Sequence, residues 1–262
     1  MDRDDYQAFT ERLRQRLAAE AEVLGLVALG SMSGEGAPAD EWSDHDFFVV
    51  VPQGRAGRFR GRLDWLPQPG EVALSYRETA HGLKVILRSG HLLEFAVFDP
   101  EELRVARVNR YRVLIDRERI GERMAEVRAE TERHDHGEAP GDDWLAGQLL
   151  ADLLVAGGRA RRGERLAGRQ RLAAAAGHLM RLAARHLPAN EAGALDDLDP
   201  SRRFERAFPA LAAEIEAALR REVPEAARAL LQVAVRALGT RIPAEGAAAV
   251  ARRLEQAAAP GS

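Results

Sequence analysis

The sequence predicts an α+β protein in which a mixed β-sheet comes first and an all-helical bundle follows. Short apolar runs separated by turn residues fill the first half of the chain, as in neighbouring strands. From Arg117 onward, apolar residues recur at helical spacing instead. A chain of 262 residues can form two domains, each with its own core. We therefore expect a sheet domain over residues 1–116 and a helical domain over residues 117–262.

The first elements alternate between helix and strand. Residues 3–22 carry apolar side chains at helical spacing and predict an amphipathic helix. The run "VLGLVALG" is typical of a buried strand that ends at a glycine. The run "DHDFFVVVP" begins at Asp44 and predicts a second buried strand, closed by Pro52. A short helix over Arg55–Trp65 follows.

Three further runs arrive in quick succession. They are "EVALSYRE", "GLKVILRS" and "HLLEFAVFD", and only short polar turns separate them. This spacing predicts neighbouring antiparallel strands. Arg110–Asp116 supplies one more strand, so the sheet of the first domain should be mixed.

The second half reads as helices that prolines start or stop. Pro188, Pro200, Pro224 and Pro243 interrupt the apolar periodicity, which is typical of helix ends. The predicted helices are Arg117–Arg133, Trp144–Gly163, Arg169–His186, Arg202–Arg221, Pro224–Leu238 and Pro243–Ala258.

The composition excludes several classes of function. The net charge of −3 lacks the basic excess of a general nucleic-acid binder, so we do not expect nucleic acid as a partner. The absence of cysteine excludes disulfides and thiolate metal sites, which leaves oxygen and imidazole ligands. No apolar run is long enough for a membrane span, and the polar N-terminus lacks a secretory signal. We expect a cytoplasmic protein without a membrane partner; the oligomeric state stays open, a homodimer included.

Two aspartates at the start of the second strand carry the strongest chemical signal. Side chains alternate along a strand, so Asp44 and Asp46 should share one face, about 7 Å apart, while His45 points to the other face. Like charges that close repel, and burying either without a partner is costly. A divalent cation between them would remove the conflict. Mg²⁺ suits such a position because it prefers oxygen ligands and keeps coordination positions for water and phosphate.

A third carboxylate would complete a two-metal site for phosphoryl transfer. Glu94 interrupts the apolar run "HLLEFAVF" at a position that a buried strand would otherwise fill, so it is the first candidate. Asp99 is the alternative, but it precedes Pro100 at a strand end, where capping explains it without chemistry.

Two further features suit a phosphate. Gly30 and Ser31 end the first strand, where backbone N–H groups and a hydroxyl could cradle a phosphate group. Lys84 is the only lysine in an arginine-rich chain, which fits either a need for a compact ammonium group or the chance survival of one lysine. Its position between Leu83 and Val85 leaves surface exposure and triphosphate contact both open.

The order of strand, Gly-Ser, Asp-x-Asp strand and later acid resembles the nucleotidyltransferase superfamily that includes DNA polymerase beta. With "SDHD", it is similar to the antibiotic nucleotidyltransferases that act on kanamycin, streptomycin or lincosamides. The motifs cover residues 23–99. The resemblance implies that Gly30 and Ser31 hold the nucleotide triphosphate, and that Asp44, Asp46 and Glu94 ligate two Mg²⁺ ions. It also implies that Glu94 could act as a general base. His45 departs from the usual apolar residue between the aspartates.

The implied reaction is Mg²⁺-dependent transfer of a nucleoside monophosphate, AMP from ATP, to a hydroxyl of a small molecule, with release of pyrophosphate. Antibiotics are among the candidate acceptors, and the expected site is a cleft between the two domains. Nucleotidylation of RNA or protein is one alternative, although few aromatic residues and a mildly acidic total disfavour RNA. A non-catalytic nucleotide-binding or antitoxin-like module is another.

Trp144 and Asp152 begin the first helix of the predicted bundle. An aromatic ring and a carboxylate suit a polar acceptor. The simpler expectation is that Trp144 packs in the core and that Asp152 faces solvent.

Overall fold

The computed structural model describes residues 2–34, 39–137, 140–196 and 199–258. The chain divides into two compact units, residues 1–137 and 138–262. The sequence alone put the boundary after residue 116.

The first unit contains a mixed six-stranded sheet over the described residues, in the order β3-β4-β5-β2-β1-β6. Strands β2 and β5 pair in parallel, whereas the remaining neighbours in the sheet are antiparallel. The α+β class predicted from the sequence is therefore confirmed, as is the antiparallel succession of β3, β4 and β5. The strands are β1 (Gly25–Leu29), β2 (His45–Val50), β3 (Val72–Arg77), β4 (Gly82–Leu87), β5 (Leu92–Phe98) and β6 (Tyr111–Asp116).

Helix α1 (Arg3–Ala19) covers one face of this sheet because its apolar residues recur on one side. Tyr6, Phe9, Leu13 and Leu17 are its buried residues, and they join the core cluster of the sheet. The short helix α2 (Ala56–Gly61) contributes buried residues to the same cluster.

Helix α3 (Ile120–Gly137) belongs to the first unit and explains where the boundary lies. Ile120 and Met124 are fully buried in a core cluster that also contains Val27 of β1. The helix was predicted from Arg117, but the two residues before Ile120 have φ values of 54° and 64°, so helical geometry starts only after them.

The second unit is helical, as predicted. The expected single helix over Arg202–Arg221 is wrong, because Phe208 leaves helical geometry and Pro209, which has no N–H to donate, starts a new helix. The helices are α4 (Asp142–Arg161), α5 (Arg165–His186), α6 (Phe204–Ala207), α7 (Pro209–Leu219), α8 (Val223–Leu238) and α9 (Ala244–Ala258). One cluster of buried leucine, alanine, valine, isoleucine and phenylalanine side chains forms their core.

Within the described ranges, no helix is both long and apolar enough to cross a membrane.

Arg117 joins the end of α1 to the end of β6. Its guanidinium donates to the carbonyl oxygens of Ala18 at 2.7 Å, Val23 at 2.9 Å and Glu20 at 3.1 Å. These carbonyls lie at and beyond the helix C-terminus, where no helical N–H reaches them.

We expect Arg117→Met to lower the free energy of unfolding by about 2 kcal/mol, because three partly buried carbonyls lose a charged donor. Urea denaturation of the full chain measures the loss, and hydrogen–deuterium exchange of α1 localises it. The control is Arg128→Met, since Arg128 is exposed and pairs with Glu132 one turn away. Equal stability of the two variants would contradict the prediction.

Candidate active site

A row of charged side chains crosses three neighbouring strands at the end of the sheet where β2 begins. Asp46 on β2 is the register partner of Glu94 on the parallel strand β5. Glu94 is in turn the partner of Lys84 on β4. Register partners on adjacent strands point to the same face and lie about 5 Å apart. The sheet therefore brings Asp46, Glu94 and Lys84 together.

Lys84 ends in contact with two carboxylates. Its Nζ lies 2.8 Å from Glu78 Oε1 and 3.3 Å from Glu94 Oε2. The hydrogen bond to Glu78, more than that to Glu94, raises the pKa of Lys84 above its ordinary value. The sequence left solvent exposure and triphosphate contact open for Lys84; in the structure the ammonium group neutralises Glu94.

The Gly-Ser turn lies directly beside Asp46. It forms a single turn of 3₁₀-helix over Gly30–Ser33, immediately after β1. Gly30 has a φ of 47°, a left-handed conformation that glycine adopts without strain. A Cβ on Gly30 would lie 3.6 Å from Asp46 Oδ2. The turn and the second aspartate are therefore adjacent in space.

Asp44 precedes β2 and is connected to the turn through α1. The hydroxyl of Tyr6 donates to the carbonyl oxygen of Asp44 at 2.8 Å and lies 3.0 Å from Ser31 Oγ. Burial raises the pKa of Tyr6 to about 12, and the charges of Asp44 and Asp46 act in the same direction. Tyr6 therefore stays protonated, and so able to donate, at neutral pH.

The carboxylate oxygens near the turn are of the ligand type that a hard cation prefers, although they are not gathered around one point. Asp46 and Glu94 offer carboxylate oxygens on one face of the sheet, the ligand type that Mg²⁺ prefers. Within the part of the chain that the structure describes, no three acidic or histidine side chains form a group that could hold a metal ion. Asp44, Asp46 and Glu94 thus do not converge as one three-ligand group here.

Asp99, the alternative third acid, has a structural role. Its Oδ1 accepts hydrogen bonds from the backbone N–H groups of Glu101 and Glu102, both at 2.9 Å. This is the capping arrangement that the sequence suggested for an aspartate before Pro100.

Two residues beside the Gly-Ser turn escaped the sequence analysis. Tyr6 was placed on a helix face without a chemical role, although a tyrosine on an otherwise apolar helix face indicates that its hydroxyl has a buried partner. Arg112 on β6 donates to the carbonyl oxygen of Met32 at 3.2 Å and lines a cavity of about 460 Å³ with Tyr6 and Ser31. Nothing in the local sequence around Arg112 predicted this position, because it depends on the pairing of β6 with β1.

In the second unit, Trp144 and Asp152 take positions opposite to the simpler expectation. The Trp144 side chain is 49% exposed, whereas Asp152 is 5% exposed. Asp152 is held by Arg171 Nη1 at 3.2 Å and His178 Nε2 at 3.4 Å. These partners offset the cost of burying its charge, so a ligand is not needed to explain it.

Comparison with known proteins gives distant likenesses among solved structures. No family model matches the chain, and no curated protein matches it. Among solved structures, an aminoglycoside 6-adenyltransferase from Bacillus subtilis aligns over 97% of this chain and 98% of its own, with a TM-score of 0.36 and 8% identity. A STING-associated CdnE c-di-GMP synthase from Capnocytophaga granulosa aligns over 96% and 78%, with a TM-score of 0.31 and 11% identity. Likenesses this weak say nothing about the reaction that this chain carries out.

The conformation of Gly30 is directly testable. We expect Gly30→Ala to lower the free energy of unfolding by about 1 kcal/mol, because alanine is strained at a φ of 47° although its Cβ would meet no clash. The control is Gly57→Ala in helix α2, where an added Cβ meets nothing within 4 Å. That change should be neutral or stabilising by up to about 1 kcal/mol. Urea denaturation compares the two variants, and a stabilised Gly30→Ala would overturn this reading of the turn.

Proposed function

We propose that this chain is a Mg²⁺-dependent nucleotidyltransferase. It would transfer a nucleoside monophosphate, AMP from ATP, to a hydroxyl of a small molecule and release pyrophosphate. The observation that carries the proposal is the pairing of Asp46 with Glu94 on adjacent parallel strands, with Gly30 beside Asp46. A phosphate-binding turn and a carboxylate pair at one sheet edge are the parts that such a transfer needs.

The turn would receive the donor phosphates. Backbone N–H groups near Gly30 and the hydroxyl of Ser31 can donate to phosphate oxygens.

The carboxylates would hold the metal and the acceptor. Asp44, Asp46 and Glu94 are the proposed ligands, and bound Mg²⁺ would neutralise phosphate charge and lower the pKa of the acceptor hydroxyl. The acceptor oxygen forms a bond to the α-phosphorus while the bond to pyrophosphate breaks. Glu94 would accept the proton of the acceptor hydroxyl. Glu94 would have to leave Lys84 to do so, and Glu78 would then keep the ammonium group paired.

A non-catalytic nucleotide-binding module is the second candidate. The ion pair between Lys84 and Glu94 favours it, because that pair occupies the third acid and needs no metal to neutralise it. Nucleotidylation of RNA or protein is the remaining alternative for the acceptor.

The central test is transfer of label from α-labelled ATP with Mg²⁺. The acceptors are aminoglycosides, lincosamides, bulk RNA and the chain itself, and the chelator EDTA should abolish transfer. We expect Asp46→Asn to lower the rate by about 100-fold or more, since it removes one charge from the metal-binding set. The matched control, Asp64→Asn, changes an aspartate whose side chain is 53% exposed and pairs with Arg62, and it should keep wild-type activity.

The outcomes separate the candidates. Label on small molecules supports the proposal, and label confined to RNA or protein replaces the acceptor class. Metal-dependent nucleotide binding without transfer to any acceptor favours the binding module. Equal activity of Asp46→Asn and Asp64→Asn removes Asp46 from the site.

Lys84 should compete with the metal for Glu94. We expect Lys84→Met to bind Mn²⁺, a paramagnetic substitute for Mg²⁺, roughly tenfold more tightly than the wild type, because a competing positive charge is gone. Electron paramagnetic resonance of free Mn²⁺ measures the affinity without any nucleotide. Lys84→Arg keeps the charge and should not show the gain. Unchanged Mn²⁺ binding in Lys84→Met would mean that Glu94 is not a ligand.

A further inference from the structure

We propose that Tyr6 is a positioning residue of this site, whose hydroxyl fixes the Gly-Ser turn against the first residue of the Asp-x-Asp segment. The inference rests on the proposed function and adds to it a residue from a helix that carries none of the motif. It also assigns a role to the histidine that stands between the two aspartates.

The position of Tyr6 follows from the geometry of α1. Tyr6, Phe9 and Leu13 lie on one helix face, because residues three or four apart share a side. That face packs on the sheet, and Tyr6 is only 3% exposed. A hydroxyl buried to this extent needs hydrogen-bond partners, and the structure gives it two from different segments.

The direction of each hydrogen bond follows from the groups involved. The carbonyl oxygen of Asp44 can only accept, so the single proton of the Tyr6 hydroxyl points to it. Tyr6 Oη therefore accepts from Ser31 Oγ at 3.0 Å. The direct approach of Ser31 Oγ to the Asp44 carbonyl is 3.5 Å, too long to hold the two segments together. The tyrosine oxygen thus joins the turn to the aspartate segment.

The ring of Tyr6 is also fixed by contacts. It stacks on the imidazole of His45, with ring centroids 3.9 Å apart and planes inclined by 27°. His45 is fully buried, and burial lowers its pKa to about 3, so the stacked imidazole is neutral at physiological pH. Phe9 packs against the same imidazole at a centroid distance of 4.6 Å.

A chain of directed hydrogen bonds fixes His45 in turn. The carbonyl oxygen of Tyr6 lies 3.2 Å from His45 Nε2 and can only accept, so Nε2 carries the proton of the neutral ring. His45 Nδ1 then accepts from His91 Nε2 at 2.6 Å. Thr10 Oγ1 gives its proton to the Tyr6 carbonyl and lies 3.0 Å from His45 Nε2, from which it can accept.

These contacts explain why a histidine occupies the place of the usual apolar residue. His45 and Asp46 point to opposite faces of β2, so the ring that anchors the strand to α1 also orients the next carboxylate. Tyr6 holds the preceding residue, Asp44, by its backbone. The same face of helix α1 therefore positions both aspartates from the side of the sheet that it covers.

The test compares Tyr6→Phe with Tyr76→Phe in the full chain. Tyr6→Phe keeps the ring and its stacking but removes the oxygen, whereas Tyr76 is 47% exposed on β3 and serves as the matched control. We expect Tyr6→Phe to raise KM for ATP about tenfold and to leave KM for the acceptor unchanged, because the turn that receives the phosphates loses its anchor. A merely structural role would lower the folded fraction, which reduces the maximal rate and leaves KM unchanged.

A double-mutant cycle identifies the route of the effect. Ser31→Ala and Tyr6→Phe should be non-additive in KM for ATP if the tyrosine acts through the serine. Additive effects, or an unchanged KM in Tyr6→Phe, would overturn the inference.

Calorimetry with a non-hydrolysable ATP analogue and Mg²⁺ separates this inference from the proposed function. If the wild type binds the analogue but transfers nothing, the transferase proposal fails, and a tenfold weaker affinity in Tyr6→Phe still supports the positioning role. Unchanged affinity in that case overturns it. If the wild type neither binds nor transfers, both fail together.

Discussion

The parallel pairing of β2 with β5 is the constraint on which the site depends. Because β5 also pairs with β4, its register sets Asp46, Glu94 and Lys84 in one row across three strands. A shift of one residue in either pairing would move a member of the row to the opposite, buried face. Apolar residues on that face, such as Phe47 and Phe95, stack at 5.0 Å between centroids and specify the register. The apolar core therefore determines where the charges meet.

The separation of neutral and charged groups onto opposite faces of the sheet also lowers the desolvation cost of the charges. The covered face of the sheet carries the buried chain of Tyr6, His45 and His91, in which every described hydrogen bond joins neutral groups. The opposite face carries the carboxylates, partly exposed and beside a cation. Placing ionised groups on the wetter face and neutral donors in the core avoids the cost of an unpaired buried charge. The protein thus holds acids in fixed positions without burying them.

Local sequence patterns were enough to predict the helices and strands. Predicting the contacts within the candidate site would have required knowledge of which strands and helix faces pair. Alternation and turn residues predicted the strands, and the interruption of "HLLEFAVF" marked Glu94 as exceptional. The pairing of Lys84 with Glu94 and the contact of Tyr6 with Ser31 could not be read from spacing, because each depends on which strands and helix faces meet. The break at Pro209 was hidden by apolar periodicity that continues across it. Sequence thus predicted which residues are unusual, while the fold decides their partners.

The single lysine shows how composition, packing and chemistry connect. Arginine is the basic residue used elsewhere in the chain, and at position 84 its planar guanidinium could bind a carboxylate through two parallel hydrogen bonds. Such a bidentate ion pair would compete strongly with any other partner of Glu94. The ammonium of Lys84 instead touches Glu94 at 3.3 Å and Glu78 at 2.8 Å. The proposed function requires Glu94 to be released, and because Glu78 also contacts the lysine, that release would leave no cation unpaired. A lysine meets that requirement, and an arginine would resist it.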